Sequence, residues 1–128
     1  LKNPERYSSV SAFSPICAPI QCPWGQKALG QYIGGNATDN NEQWAEYDTV
    51  ELVKMSSKGT RGSLPVLIDQ GEADNFLAEQ LNTQLLIDTA ASVAFPMRIR
   101  LQPEYDHSYF FIATFIEEHL KFHAENLR

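Results

Sequence analysis

One uninterrupted apolar run limits what this chain can fold into more than any other feature. Residues 64–68 read Leu-Pro-Val-Leu-Ile, and an acid, Asp69, follows them. A continuous apolar run of this length is typical of a β-strand that is buried on both faces, as the inner strands of parallel sheets are. Parallel strands need long crossover connections, which helices usually supply. The run therefore predicts an α/β architecture.

Shorter periodic segments on both sides of this run complete the predicted architecture. Residues 9–14 mix serine with apolar residues, which predicts a short strand, and residues 97–101 alternate strictly, which predicts a strand with one solvated face near the sheet edge. Apolar spacing and turn signals predict helices over residues 25–33, within 42–55, and over 75–94 and 108–127. This order predicts a mostly parallel sheet with flanking helices in one domain, residues 1–128.

Prolines and polar residues mark the predicted connections. The three prolines within residues 15–24 are expected to exclude regular structure there. Asp48 is predicted to be the N-cap of a second short helix within residues 42–55. Residues 56–63 are predicted to form a polar loop that leads into the apolar run.

Composition and charge exclude several classes of protein. The 128 residues carry 10 basic and 16 acidic side chains, a formal charge of −6 at pH 7, which does not suit the neutralisation of nucleic-acid phosphates. Apolar types make up 43% and charged types 20%, as in a globular chain with one core. No apolar stretch approaches the roughly 18 residues that a membrane span needs, and residues 1–6 lack the order of a secretory signal. A cytoplasmic protein that binds neither nucleic acid nor membrane is predicted.

Two candidate reactive groups follow neighbouring predicted strands. Asp74 lies in the turn after the apolar run, and His107 lies after the alternating strand. Reactive groups gather at the carboxyl ends of parallel strands, and acid before histidine is the order of the last two members of a Ser-Asp-His hydrolase triad. A carboxylate bonded to one imidazole nitrogen fixes the tautomer and stabilises the imidazolium that forms when the other nitrogen takes a proton. Asp74 and His107 are therefore the candidate acid and base.

Residue statistics leave structural alternatives open at these positions. On sequence alone, Asp74 is more often a helix N-cap than a catalytic acid, and His107 is more often a capping or partly exposed histidine. Asp69, at the end of the predicted strand, is a rival acid in the same turn. Trp24 and Phe76 are more often core residues than ligand contacts, unless their loops face a cleft.

No metal or cofactor site is predicted. His119 and His123 stand one helical turn apart, but they lack a neighbouring acid-and-histidine motif and are expected to lie on a solvated helix face. Cys17 and Cys22 lack a second pair of ligands and are too few for a disulfide framework. They are expected to be packing or loop thiols in a reducing compartment.

Three longer stretches of sequence are more specific than these patterns. They are Ser-Ala-Phe-Ser-Pro-Ile-Cys with Cys-Pro-Trp-Gly-Gln-Lys-Ala (residues 11–17 and 22–28), Leu-Ile-Asp-Gln-Gly leading to Asp74 and Phe76, and Tyr-Asp-His-Ser-Tyr-Phe-Phe-Ile-Ala-Thr-Phe-Ile (residues 105–116). In this order they resemble the S-formylglutathione hydrolase family, also called esterase D, over essentially the whole chain. The resemblance implies the carboxyl-terminal part of an α/β-hydrolase fold. It also implies hydrolysis of the thioester S-formylglutathione to glutathione and formate, the closing step of glutathione-dependent formaldehyde detoxification.

The same resemblance implies roles for individual residues. The acid of the triad falls on Asp74, within Gly-x-x-Asp, and the base on His107, within Tyr-Asp-His-Ser. Trp24, within Cys-Pro-Trp-Gly, matches a residue at the border of the substrate cleft, and Phe76 is predicted as a second substrate contact. Glu104 departs from the family, which usually has a glycine just before Tyr-Asp-His.

The nucleophile of this family is missing from the sequence. No Gly-x-Ser-x-Gly occurs, and none of the serines is predicted to lie in the strained strand-to-helix turn that exposes a nucleophile. They lie in the first predicted strand, in loops or beside His107, for example Ser9, Ser11, Ser14, Ser56, Ser57, Ser63 and Ser108. The resemblance implies that the serine and the oxyanion-hole amides lie just upstream of Leu1. We therefore expect the carboxyl-terminal half of a larger serine hydrolase, which supplies acid and base only and is inactive by itself.

The partner of the chain depends on which of two interpretations holds. As part of a hydrolase, the chain acts on a small-molecule substrate, and either a second chain with the missing half or a homo-oligomer covers the exposed edge of the first strand. The alternative is a non-catalytic fragment that serves as a structural or partner-binding module.

Overall fold

Three parallel strands form the sheet in the described part of the chain. The structure is a computed structural model that describes residues 1–39, 41–56 and 64–127. The strands are β1 (Val10–Phe13), β2 (Val66–Gly71) and β3 (Arg98–Gln102), with β2 in the middle. Both pairings are parallel, so that Phe13 of β1 and Arg100 of β3 flank Asp69 of β2. The predicted α/β fold with a mostly parallel sheet is confirmed.

Helices of different lengths connect and cover the strands. They are α1 (Pro23–Tyr32), α2 (Asn41–Ala45), α3 (Thr49–Ser56), α4 (Thr83–Ser92) and α5 (Tyr109–Glu125). A 3₁₀ turn spans Pro19–Gln21 and a π-helical turn spans Leu77–Leu81. Asp48 caps α3 as predicted, since its Oδ1 accepts a hydrogen bond of 3.1 Å from the Glu51 amide. From residue 57 onward, the predicted polar loop lies outside the described residues.

Two predictions about local structure are wrong. Prolines do not exclude regular structure in residues 15–24, because Pro19 begins the 3₁₀ turn and Pro23 begins α1. Proline is tolerated in the first helical turn, where its missing N–H has no partner to lose. The helix predicted over residues 75–94 is interrupted at Asn82, whose φ of 52° is left-handed and separates the π turn from α4. Asparagine tolerates this conformation better than most residues.

The core lies between the sheet and the helix pair α3 and α4. Every residue of β2 is buried, as the continuous apolar run predicts. Alternate residues of β2, Val66 and Ile68, pack against apolar side chains of α3 and α4, with the central cluster completed by Cys17, Ala18, Val50, Val53, Leu86 and Ala90. The opposite face of the sheet is covered by α5. No helix in residues 1–39, 41–56 or 64–127 is long and apolar enough to cross a membrane.

The solvated faces predicted for β3 and α5 are wrong at the positions whose polar side chains point into the protein. β3 does lie at a sheet edge, but Arg100 is not on a solvated face, because its guanidinium binds the buried carboxylate of Asp69 and also Glu118. His119 is buried instead of solvated, with Nε2 2.9 Å from Asp69 Oδ2. His123 is half-buried, and its two ring nitrogens bind serine hydroxyls of the β1 segment, those of Ser9 and Ser11. The histidines of α5 therefore face the sheet.

Candidate active site

Two turns at the carboxyl end of the sheet are bonded to each other. The turn after β2 leads to Asp74, and the turn after β3 leads to His107. The amide of Glu72 donates to the carbonyl of Gln102, and the amide of Ala73 donates to the carbonyl of Tyr105, both at 3.0 Å. These main-chain bonds hold the two turns side by side.

Gly71 permits this close approach. A Cβ atom at this position would lie 2.2 Å from the carbonyl oxygen of Tyr105, far inside van der Waals contact. Only glycine leaves room for the second turn here. The glycine of the Gly-x-x-Asp stretch therefore brings the backbone of one turn against the other, three residues before Asp74.

The carboxylate of Asp74 binds the imidazole of His107. The distance from Oδ2 to Nδ1 is 2.7 Å, and the carboxylate has no exposed surface, whereas 42% of the histidine side chain is exposed. An ionised carboxylate only accepts hydrogen bonds, so Nδ1 carries the hydrogen and the neutral ring keeps a lone pair on Nε2. The candidate acid and base therefore meet in the arrangement that general-base chemistry needs.

Two further donors hold the carboxylate of Asp74. The Phe76 amide donates to Oδ1 at 2.9 Å, and the Gln70 side-chain amide donates to Oδ2 at 3.1 Å. Burial raises the pKa of Asp74, but the hydrogen bonds from Phe76, His107 and Gln70 outweigh it and leave this pKa below its ordinary value. The capping alternative is wrong, because Phe76 and not Asp74 is the N-cap of the π-helical turn; Asp74 Oδ1 instead binds the Phe76 amide while Oδ2 binds the histidine.

Trp24 and Phe76 form an aromatic wall beside His107. The Phe76 ring meets the imidazole edge-on with centroids 5.2 Å apart, and the Trp24 ring lies 4.7 Å from Phe76. Trp24 is 45% exposed and Phe76 36% exposed, so neither is a core residue. The four predicted site residues are therefore contiguous, and both aromatic rings border open space.

An open cavity of about 240 Å³ adjoins His107. It is lined by Phe13, Ser14, Ser108, Tyr109 and Ile112 as well as the histidine. The prediction that Ser14 lies within the first strand is wrong, because it follows β1 and has a left-handed φ of 43°. Its buried Oγ has no hydrogen-bond partner in the described part of the chain.

Glu104 has a backbone conformation that few residues other than glycine adopt. Glu104 has a φ of 67°, so the position where the family usually has glycine is one that favours glycine.

Burial raises the pKa of the Cys17 thiol to about 12, which makes it inert at neutral pH. Cys22 is a buried free thiol whose sulfur accepts a 3.3 Å bond from the Gly25 amide at the start of α1. Both cysteines are thus packing residues.

The structure adds Gln70 to the site, which sequence reasoning missed. Gln70 sits within the buried strand next to Asp69, and a glutamine in an apolar strand is the signal that could have drawn attention to it. The rival acid Asp69 lies on the other side of β2 and binds His119 rather than His107.

Comparisons with known proteins agree with this geometry. The family model described as "Putative esterase" matches residues 1–122. An S-formylglutathione hydrolase of Arabidopsis thaliana is 48% identical over 127 residues, which cover 99% of this chain and 42% of the relative. The solved structure of an S-formylglutathione hydrolase from Agrobacterium tumefaciens matches with a TM-score of 0.84 and 42% identity, over 99% of this chain and 43% of that chain.

A more distant structure shares the fold alone. Dipeptidyl peptidase 4 of Porphyromonas gingivalis matches 94% of this chain and 16% of its own with a TM-score of 0.58 and 15% identity. The chain spans less than half the length of the S-formylglutathione hydrolases it matches. The matches confirm both the predicted α/β-hydrolase fold and the predicted resemblance. The chain belongs to the esterase family, with S-formylglutathione hydrolases among its relatives.

Proposed function

We propose that this chain supplies the acid and the base of a serine hydrolase that converts S-formylglutathione to glutathione and formate. The bond between Asp74 and His107 at the carboxyl ends of parallel strands carries the proposal. Relatives named S-formylglutathione hydrolase, at 42–48% identity, support the substrate. In this role the protein completes glutathione-dependent formaldehyde detoxification.

The serine nucleophile comes from a segment outside this chain. The sequence has no Gly-x-Ser-x-Gly, and the chain covers 42% of its Arabidopsis relative. The cavity beside His107 is open, so a serine from outside this chain can approach the imidazole there. In this position the serine hydroxyl can reach Nε2, the ring nitrogen that does not bind Asp74.

The reaction follows from these positions. The serine oxygen attacks the formyl carbonyl while His107 Nε2 takes its proton, and Asp74 stabilises the imidazolium that forms. The carbon–sulfur bond then breaks, and His107 returns the proton to the departing glutathione sulfur. Water, deprotonated by the same imidazole, hydrolyses the formyl ester and regenerates the serine. The oxyanion-hole amides, like the serine, come from outside the chain.

The aromatic wall of Trp24 and Phe76 borders the substrate. Both rings are exposed, Phe76 contacts the imidazole and Trp24 contacts Phe76, which supports a path over them for a thioester positioned for attack. Their apolar faces exclude water from the side of His107 that they cover. We therefore include both residues as substrate contacts.

The setting of the domain is part of the proposal. Residues 1–128 form the carboxyl-terminal portion of one cytoplasmic α/β-hydrolase domain. The free cysteines and the absence of a disulfide framework support a reducing compartment. The outer edge of β1 pairs with no strand of the described residues, which supports a second segment or a second copy as its cover.

One observation favours the alternative, a non-catalytic module. Part of α5 presents large apolar side chains to solvent, namely Tyr109, Phe110, Ile116 and Leu120. An exposed apolar surface of this kind is typical of an interaction site. In a hydrolase, the part of the protein outside this chain would have to cover these side chains, so a measurement of activity separates the two interpretations.

A composite enzyme tests the proposed function. It joins the portion of the Arabidopsis S-formylglutathione hydrolase that this chain does not match to residues 1–128. We expect the composite enzyme to hydrolyse S-formylglutathione, and residues 1–128 alone to hydrolyse neither this thioester nor p-nitrophenyl acetate. Ester hydrolysis by residues 1–128 alone would show that the nucleophile lies within the chain. A folded composite enzyme without activity would favour the non-catalytic module.

A further inference from the structure

Gln70 lies between the candidate acid and helix α4. Its side chain has no exposed surface, and it follows Asp69 directly on β2. Neighbouring residues on a strand point to opposite faces of the sheet. Asp69 accordingly binds His119 of α5 on one face, while Gln70 binds Thr83 at the start of α4 on the other.

Every polar atom of the Gln70 amide has a partner. Its nitrogen donates to Asp74 Oδ2 and to the carbonyl oxygen of Gly71, both at 3.1 Å, and its oxygen accepts from the Thr83 hydroxyl at 3.1 Å. An ionised carboxylate cannot donate, so the NH₂ group has to face Asp74 and the amide has one orientation. A fully satisfied buried network of this kind is rigid.

Gln70 and His107 share one oxygen of the Asp74 carboxylate. Oδ2 accepts from both side chains, and Oδ1 accepts from the Phe76 amide. During turnover, the imidazole changes its charge and has to keep its ring orientation. A donor that does not react therefore steadies the oxygen that the imidazole binds.

We propose that Gln70 is a positioning residue, which holds the Asp74 carboxylate in the rotamer that binds Nδ1 of His107, and that Thr83 holds Gln70 in turn. The part of this inference that concerns turnover rests on the proposed function. Gln70 has no exposed surface, so it acts through Asp74 rather than on the substrate.

The first arm of the test uses the 128-residue chain with ¹⁵N-labelled histidine. Gln70→Met removes the amide at similar volume. Gln102→Met is the matched control, because Gln102 donates at 3.0 Å to Asp69, the other buried carboxylate of β2. We expect the His107 Nδ1–H resonance to be slow to exchange in the wild type and in Gln102→Met. In Gln70→Met we expect the exchange to be at least tenfold faster.

The second arm measures kinetics in the composite enzyme. We expect Gln70→Met to lower kcat by about 10- to 100-fold and to leave KM within about twofold, because misplacing a positioned group slows chemistry without removing a substrate contact. Gln102→Met should keep kcat within about twofold of the wild type. If Gln70→Met does not fold, Thr83→Val replaces it, and we expect the same changes at smaller size.

The two arms separate this inference from the proposed function. If Gln70→Met matches Gln102→Met in exchange, the inference is wrong; if the two variants match in kcat, the part that concerns turnover is wrong. Thr83→Val, used in place of Gln70→Met, is judged in the same way. If the composite enzyme is inactive or keeps its turnover without His107, the proposed function fails. The exchange measurement then still decides whether Gln70 positions Asp74.

Discussion

Two aspartates, one within β2 and one in the turn after it, each bind a histidine. The two contacts differ in the surroundings of the other ring nitrogen, the one that does not bind the carboxylate. Asp74 binds Nδ1 of His107 at 2.7 Å, and Asp69 binds Nε2 of His119 at 2.9 Å. His107 is largely open to solvent on its other side, whereas the side chain of His119 is 2% exposed and its Nδ1 is buried without a partner in the described residues. Of these two rings, that of His107 is the one exposed to solvent, as its proposed role as a base requires.

The charges around the two carboxylates differ as well. Asp69 binds a guanidinium, with Arg100 Nε at 2.7 Å, and also the amide of Gln102. In the described residues Asp74 has no cationic partner apart from the imidazole it binds. Asp69 therefore has a permanent counter-charge, while the charge of Asp74 is available to the imidazolium that the proposed reaction forms. The two Asp–His pairs thus differ in their surroundings, and this difference supports the proposed catalytic role of one pair and a structural role for the other.

The largest expected effect comes from removing each imidazole in turn. In the composite enzyme, His107→Ala should lower kcat/KM for S-formylglutathione on the order of 10⁴-fold or more, because the base is lost. His119→Ala should leave the folded enzyme active, but it should lower the free energy of unfolding by about 3 kcal/mol, because a buried hydrogen-bonded partner is removed. Steady-state rates and urea unfolding check both results. If His119→Ala lowers kcat/KM more than His107→Ala does, the assignment of the two histidines is wrong.

Removing the carboxylate charges sharpens the comparison. Asp74→Asn should lower kcat on the order of 10⁴-fold, because an amide that donates to the imidazole favours the wrong tautomer. Asp69→Asn should act mainly on stability, because it leaves the Arg100 guanidinium half-buried without its main counter-charge. The measurements are kcat and thermal unfolding of both variants of the composite enzyme. A loss of kcat in Asp69→Asn equal to that in Asp74→Asn would contradict the assignment.

Acid should weaken both contacts. Burial raises the pKa of each carboxyl group, but the hydrogen bonds that Asp69 and Asp74 accept outweigh it and hold both pKa values below the ordinary one. The pKa of an aspartate in the unfolded chain is about 4, so the stabilisation is complete above that pH. It is lost as the pH falls through the lower pKa values of the folded state. Urea unfolding of the 128-residue chain between pH 7 and pH 3 should show this loss. Asp69→Asn and Asp74→Asn should each lose less of the free energy of unfolding over this pH range. If both variants lose as much as the wild type, the titration of these carboxylates does not contribute to stability.

The smallest expected effect concerns the turn that carries His107. Glu104→Gly should raise the free energy of unfolding by about 1 kcal/mol and leave activity unchanged, because glycine adopts the φ of 67° without steric strain. Glu104→Ala is the control: it removes the same charge but keeps the strain, and should give no such gain. Thermal unfolding checks both variants. Equal stabilisation by alanine would mean that charge, and not the backbone, matters here.

Periodicity and strand order predicted the sheet and the meeting of Asp74 with His107. The apolar run fixed β2 as the central strand, and groups that follow parallel strands share an edge wherever the helices lie. The same reasoning failed for His119, because α5 carries apolar residues on several faces and its sequence does not reveal which face meets the sheet. It also missed Gln70, whose role depends on Thr83, a residue on another element. Long-range partners of single polar side chains are set by packing.

Chemical rescue tests the central claim most directly. His107→Gly in the composite enzyme leaves a gap at a side chain that is 42% exposed, so free imidazole can enter it. We predict that turnover of S-formylglutathione falls to near the background and then rises with imidazole concentration, because the small base replaces the missing one beside Asp74. A variant that keeps its turnover without imidazole would contradict the account.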